Sequence, residues 1–303
     1  MKVRSFISKA LFPYLAFLTA FTCNSTVARA QSPKLEDAKK SVLARIEKSG
    51  AEVAIAFHTL DGKEEWYLRA DESFHAASTM KVPVLIELFH QVKQGKLKLT
   101  DTVVIKNEFR SIVDGSPYKL DPADDSEFDL YKVEGQTRAL SQLAELMITV
   151  SSNLATNLLI EKLGVDNIRA GVHSLGADGM SVLRGVEDSK AFQKGMNNTT
   201  TARGLAVLMT AIAEGKAVDS ESSKEMVAIL ERQEFKDAIP AGLPKGIPIA
   251  HKTGDITKIN HDAAIVYAER PFVLVLLVRG LVEKKDSAAL MAAIARDLYG
   301  ATD

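Results

Sequence analysis

The chain has 303 residues, 25% of them charged, with 38 basic against 39 acidic residues and a formal net charge of −1. That balance excludes the broad basic face of a nucleic-acid partner. The single cysteine, Cys23, excludes an internal disulfide, so the fold has to be held by its apolar core.

Residues 1–30 read as a secretory signal peptide. Lys2, Arg4 and Lys9 precede the apolar "ALFPYLAFLTAF", and "VARA" ends in a small-x-small cleavage site before Gln31. About a dozen apolar residues are too few to span a bilayer. Ala20, Phe21 and Thr22 before Cys23 lack the small-residue pair of a lipidation site, so no stable membrane anchor is expected. Without its four basic residues (Lys2, Arg4, Lys9, Arg29) the remaining chain carries 34 basic against 39 acidic residues, a net −5. Its 273 residues suffice for one large domain or two intimate lobes, and the protein is expected to be periplasmic or secreted, and monomeric.

An amphipathic helix, "LEDAKKSVLARIEKSG", comes next and closes at Gly50. Two alternating runs, "AEVAIAFHTL" and "KEEWYLRA", flank Asp61-Gly62 and predict a hairpin. From Ser78 to about Ala217 the apolar spacing turns to three and four: "QLAELMITV", "NLATNLLIEKLG", "VDNIRAGVHSLG" and "TTTARGLAVLMTAIAEG" predict helices joined by long loops. The acidic "DPADDSEFD" among those loops reads most simply as a solvated surface segment. A further helix, "SSKEMVAILERQ", precedes the turn-rich "IPAGLPKGIP". Strand character returns in "IPIAHKTG", "HDAAIVYAE" and "PFVLVLLVRG", and "KDSAALMAAIARDLYG" predicts a final helix. Strands at both ends and helices between them imply an α/β chain of the α+β type. The expected division is a sheet-containing lobe of residues 31–77 and 218–303 with its terminal helices, and an inserted all-helical lobe of residues 78–217, with a site in the cleft between.

Ser78 and Lys81 stand one helical turn apart at the head of the apolar run "MKVPVLIELF". Lysine is rarely buried without a partner. Either Lys81 snorkels to water along an apolar stem, or it is held beside Ser78. The S-x-x-K pattern alone does not decide, because Ser116 to Lys119 match it too. Two later motifs add weight: "SSN", Ser151 to Asn153, between two helices, and "KTG", Lys252 to Gly254, at the end of a strand. There is no H-E-x-x-H, no paired cysteine, no G-x-S-x-G elbow and no phosphate-cradling glycine loop, so no metal and no cofactor is called for.

The three motifs in this order resemble the penicillin-recognising serine hydrolases, and within them the class A β-lactamases. The resemblance covers nearly all of the chain after the signal and implies an antiparallel five-stranded sheet. It implies Ser78 as nucleophile and Lys81 as its general base, which fits the physics: a desolvated lysine has a lowered pKa, and the helix start favours a developing oxyanion. Ser151 would relay a proton to the lactam nitrogen. Asn153 would bind Lys81 and the substrate's side-chain carbonyl, although "SSN" also reads as a plain helix cap. Lys252 and Thr253 would hold the substrate carboxylate, Gly254 would let the substrate backbone approach the strand edge, and Asp255 would supply an oxyanion N–H with its side chain pointing away.

The chain departs from the family pattern in three places. Ser152 replaces the aspartate that braces the S-D-N turn. The arginine that holds the carboxylate on the neighbouring strand falls near His261, which either substitutes for it or is a strand-edge histidine. Glu187 lies three rather than two residues beyond Arg184, the asparagine expected four residues on is Ala191, and Asn198 replaces the aspartate opposite the arginine. Glu187 is then a displaced deacylation base or a solvated loop carboxylate. The resemblance implies a hydrolase that opens β-lactams through a Ser78 acyl-enzyme and confers β-lactam resistance. Alternatives are a D-alanyl-D-alanine carboxypeptidase acting on peptidoglycan stem peptides, which deacylates slowly, and a non-catalytic penicillin-binding module.

Overall fold

The structure, a computed structural model, describes residues 1–2 and 32–302. The signal peptide read in residues 1–30 lies, apart from Met1 and Lys2, outside the described residues. Helix α1 (Pro33–Ser49) starts at Ser32, whose hydroxyl accepts the Leu35 N–H, and stops at Gly50, where φ is 70°. Its buried Leu35, Ala38 and Val42 face the sheet. Strands β1 (Glu52–Thr59) and β2 (Glu65–Leu68) form the hairpin across Asp61-Gly62. Near the other end of the chain come β3 (Ile249–Ile256), β4 (Ile259–Val266) and β5 (Phe272–Arg279). All pairings are antiparallel, in the order β2-β1-β5-β4-β3, so β5 is central and β3 is an edge.

Alternation along the strands builds two apolar layers. Val53, Ile55 and Phe57 of β1 and Leu274, Leu276 and Val278 of β5 pack under α1 and α9 (Lys284–Tyr299). Ala54, Ala56, Val273, Val275 and Leu277 face the other way, into the core shared with the helices between the sheet halves. Because β5 is covered on both faces, "FVLVLLV" is a continuous apolar run rather than an alternating one. Asp297 accepts hydrogen bonds from Ser41 (2.7 Å) and Arg45 (2.7 Å) and ties α9 to α1.

The remaining helices are α2 (Lys81–Lys93), α3 (Leu140–Thr149), α4 (Asn153–Leu163), α5 (Val165–Ser174), the short α6 (Ser189–Gln193), α7 (Ala202–Ala213) and α8 (Ser220–Glu231). Leu85 and Leu88 of α2, Leu143 and Met147 of α3, Leu158 of α4, Leu208 of α7 and Met226 and Leu230 of α8 belong to one apolar cluster with the sheet face. Helix α7 packs on the sheet and α8 against β3, so the helical part and the sheet share a continuous core. Among the described residues no helix is long and apolar enough to cross a membrane.

Candidate active site

The Ser78 turn is built by strain and close packing. Ala77 to Met80 form a 3-10 turn, and the α-helix proper begins only at Lys81. Pro83 in the following turn has no N–H to give, in keeping with this distorted start. Ala77 sits at φ 45°, and its N–H is taken up by His75 Nδ1 at 3.0 Å. The turn lies against the open edge of β3. A Cβ on Gly254 would stand 2.8 Å from the Ser78 N and 2.8 Å from the Thr79 N. The glycine of "KTG" is thus required by this chain's own packing, where the sequence suggested room for a substrate.

Lys81 is fully buried, and it is not snorkelling. Its Nζ donates to the Ser151 carbonyl (2.7 Å), Ser151 Oγ (3.2 Å) and Asn153 Oδ1 (2.9 Å). Burial lowers its pKa to about 7 against the opposing pull of Asp125, Glu187 and Asp255. Lys252, also fully buried, donates to the same Ser151 Oγ at 3.0 Å and to the Thr253 carbonyl at 2.8 Å. Burial, and then the proximity of Lys81, hold it well below the usual lysine value. One hydroxyl therefore bridges two desolvated lysines, which suits it to pass a proton from one side of the cleft to the other. Ser151 itself is held at φ 60°.

Glu187 reaches the same group despite its displacement. Its Oε1 accepts from Asn153 Nδ2 at 2.7 Å, and its Oε2 accepts from the Asp121 N–H at 3.2 Å. Asn153 thus links Lys81 through its oxygen to Glu187 through its nitrogen. Burial raises the Glu187 pKa, partly offset by these two hydrogen bonds. The residue stands at φ 62°, so among the described residues three of the five non-glycine positions at positive φ (Ala77, Ser151, Glu187) meet at this one place. Both Glu187 carboxylate oxygens are thus engaged by other residues of the site.

Among the described residues the loop that carries Glu187 is closed without an ion pair at its neck. Asn198 does bond to Arg184, but to its main chain: Oδ1 accepts from the Leu183 and Arg184 N–H groups, and Nδ2 donates to the Arg184 carbonyl. The guanidinium instead donates to the carbonyls of Met196 (2.9 Å) and Gly185 (2.9 Å) and to Asn197 Oδ1 (3.3 Å). Asp188 secures the far side by accepting from Ser111 Oγ and the Ile112 N–H.

The proposed carboxylate-binding end needs correction at His261. This residue is fully buried; its Nε2 faces the His75 carbonyl at 3.0 Å, and its Nδ1 accepts from the Val278 N–H at 3.1 Å. Burial lowers its pKa to about 4, so it is neutral and occupied on both nitrogens. It cannot replace the arginine and is a structural strand histidine. The Asp255 carboxylate pairs with Lys284 at 3.0 Å. Thr253 is buried beside Lys252 on β3.

Sequence reasoning missed three contributors. Asn157 lies four residues beyond Asn153 on α4, and clamps Val186 by accepting its N–H (2.7 Å) and donating to its carbonyl (3.0 Å). Two asparagines at i and i+4 within the apolar run of α4 were a usable signal. Asp125 and the Asp121 N–H come from the acidic segment read as solvated surface, which is largely exposed but turns these two groups toward the site. Ser152, fully buried, caps α4 by accepting the Ala155 N–H, so the helix-cap role of "SSN" coexists with the other contacts.

Ser78, Asn153, Glu187, His75 and Phe192 line a cleft of about 360 Å³, within the usual range for a small-molecule site. Among the described residues no group of three or more His, Cys, Asp or Glu side chains is placed to hold a metal ion.

Comparison with known proteins gives a consistent picture. Beta-lactamase CTX-M-97 of Escherichia coli is 28% identical over 89% of this chain and 89% of its own length. The solved structure of PBP-A matches with a TM-score of 0.76 at 27% identity, covering 88% of this chain and 96% of that one. A beta-lactamase from Sphaerobacter thermophilus DSM 20745 matches with a TM-score of 0.75 at 26% identity, covering 88% and 97%. Residues 35–302 match the family model of the beta-lactamase enzyme family, and with the motifs, the sheet order and the fold in agreement, the chain belongs to that family.

Proposed function

We propose that this chain is a serine β-lactamase that hydrolyses the β-lactam amide through a Ser78 acyl-enzyme. The observation that carries the reading is the connected set Lys252–Ser151–Lys81–Asn153–Glu187, with every link a hydrogen bond of 3.2 Å or less. With its pKa near 7, Lys81 is partly neutral at neutral pH and able to take the Ser78 proton as Oγ bonds to the lactam carbonyl carbon. The proton passes through Ser151 Oγ to the lactam nitrogen as the C–N bond breaks. Asn153 receives the substrate's side-chain carbonyl, and Lys252 and Thr253 the carboxylate. The N–H groups of Ser78 and Asp255 serve the oxyanion. Glu187 then takes a proton from the water that attacks the ester carbonyl, and as the C–O bond to Ser78 breaks a proton returns through the Lys81–Asn153–Glu187 network to the Ser78 oxygen, which leaves as the hydroxyl and restores the free carboxylate.

The cleft lies between a sheet lobe of residues 31–77 and 218–303 and a helical lobe of residues 78–217. Export by the signal peptide would place the enzyme in the periplasm or outside the cell, where β-lactams act. The likeness to PBP-A, a mutant of which was solved as an acyl-enzyme complex with penicillin-G, supports a second reading, a penicillin-binding carboxypeptidase with slow deacylation. The carboxylate of Glu187 within reach of Asn153 favours the lactamase.

A chromogenic cephalosporin followed by both colour and intact-protein mass separates the two. Sustained turnover with no persistent adduct is expected; a long-lived Ser78 adduct in the wild type would overturn the lactamase reading. Glu187→Ala should leave acylation within a few-fold of wild type while the adduct accumulates. Unchanged turnover in that variant would remove Glu187 from the mechanism.

A further inference from the structure

The turn that presents Ser151 and Asn153 is strained and lacks the aspartate of the S-D-N pattern, yet both side chains are held to within hydrogen-bond geometry of Lys81. The missing carboxylate is supplied from elsewhere. Asp125 Oδ2 accepts from the Asn153 N–H (2.9 Å), the Leu154 N–H (2.8 Å), the Tyr131 hydroxyl (2.8 Å) and, at 3.4 Å, Ser152 Oγ. Its Oδ1 accepts from the Glu127 N–H at 3.0 Å, which fixes the carboxylate from its own loop.

We propose that Asp125 is a positioning residue that does, from 27 residues upstream, what the aspartate absent at position 152 would do: it locks the Ser151–Asn153 turn against Lys81. The physical basis is the first turn of α4. Its N–H groups have no intrahelical partners and carry the positive end of the helix dipole, so a carboxylate there both satisfies two donors and gains from the field. Asn153 is thereby held at its backbone by Asp125 and at its side chain by Lys81 and Glu187. Burial and the Asp125 hydrogen bond raise the Tyr131 pKa, keeping that hydroxyl a donor.

The same segment reaches the second half of the site. Asp121 caps the short turn Pro122–Asp124 with its side chain while its N–H meets Glu187 Oε2. The stretch from 121 to 125 is therefore a strap with two anchors, one on the acylation turn and one on Glu187.

This inference rests on the proposed Ser78 chemistry, and the test keeps the two apart. Three variants of the full chain are compared with wild type: Asp125→Ala, Ser152→Asp, and both together. Acylation by benzylpenicillin is timed by intact mass well below each variant's Tm. Asp125→Ala should slow adduct formation about 100-fold, the scale of a misplaced reacting group. The double variant, with a carboxylate returned at position 152, should recover most of that loss. Ser152→Asp alone should lower Tm, because it sets two carboxylates together in a buried place. Wild-type acylation in Asp125→Ala, or a double variant that regains Tm without regaining rate, would overturn the proposal.

Hydrogen exchange at the Asn153 and Leu154 amides provides a readout independent of activity. Protection lost in Asp125→Ala and regained in the double variant supports the strap, and unchanged protection overturns it. Were wild type to form no adduct at all, the proposed activity would fall and the exchange data would still decide the role of Asp125.

Discussion

At Gly254 a single methyl group separates a working site from a spread one. The 2.8 Å approach of its position to two backbone nitrogens leaves no flexible side chain to yield, so Gly254→Ala has to push β3 away from the Ser78 turn. We expect acylation to fall about 100-fold and stability by about 1–3 kcal/mol, measured as adduct formation by mass and as a denaturant midpoint. Acylation at the wild-type rate would show that the turn can relax. The motif letters Ser78, Lys81, Ser151, Asn153 and Lys252 were legible because each residue type carries its own chemistry. The left-handed backbone at Ala77, Ser151 and Glu187 was not, since serine, alanine and glutamate do not announce a positive φ as glycine does.

At the scale of elements, the position of Glu187 is decided by helix α4 rather than by the loop's own sequence. Asn157 pairs with Val186 as a neighbouring strand would, and Gly185 lets it approach: a Cβ there would meet Asn157 Oδ1 at 2.5 Å. Asn157→Ala would leave the Val186 N–H and carbonyl without these partners, costing about 1–3 kcal/mol. Because Glu187 is the next residue, deacylation should slow more than acylation, by about tenfold or more. Burst kinetics would check this, with a larger burst and a slower steady state expected; an equal loss in both steps would count against it. Counting from Arg184 made Glu187 look displaced, because spacing along a loop says little about where a clamp from another helix sets it. The role of Asp125 was hidden for a related reason: the segment is largely exposed as its charge density suggests, yet this one carboxylate meets a helix terminus far away in sequence.

For the whole molecule, burial of histidine makes acid the destabilising direction. Between pH about 4 and about 6.5 the unfolded chain binds a proton at His261 that the folded chain does not, so stability falls as pH drops through that window. The loss from this residue amounts to about 3 kcal/mol by pH 4. His58 and His75, both lowered by burial, act in the same direction, and the raised Glu187 acts weakly against them. Urea unfolding at neutral and acidic pH should show this decline, and His261→Gln should flatten it; an identical slope in that variant would refute the assignment.

What the amino-acid sequence determined by itself was the set of elements and the candidate groups for the chemistry. Hydrophobic period, glycine and proline punctuation and the three motifs are local signals, and they placed the helices and the five strands of the main sheet and singled out Ser78, Lys81, Ser151 and Lys252 as candidates. Tertiary structure alone decided which neutral and charged groups hold those residues in place. Asp125, Asn157, the Gly254 contact and the neutral His261 are long-range pairings, set by which surfaces meet when two apolar layers close on one sheet, and no local pattern encodes such a meeting.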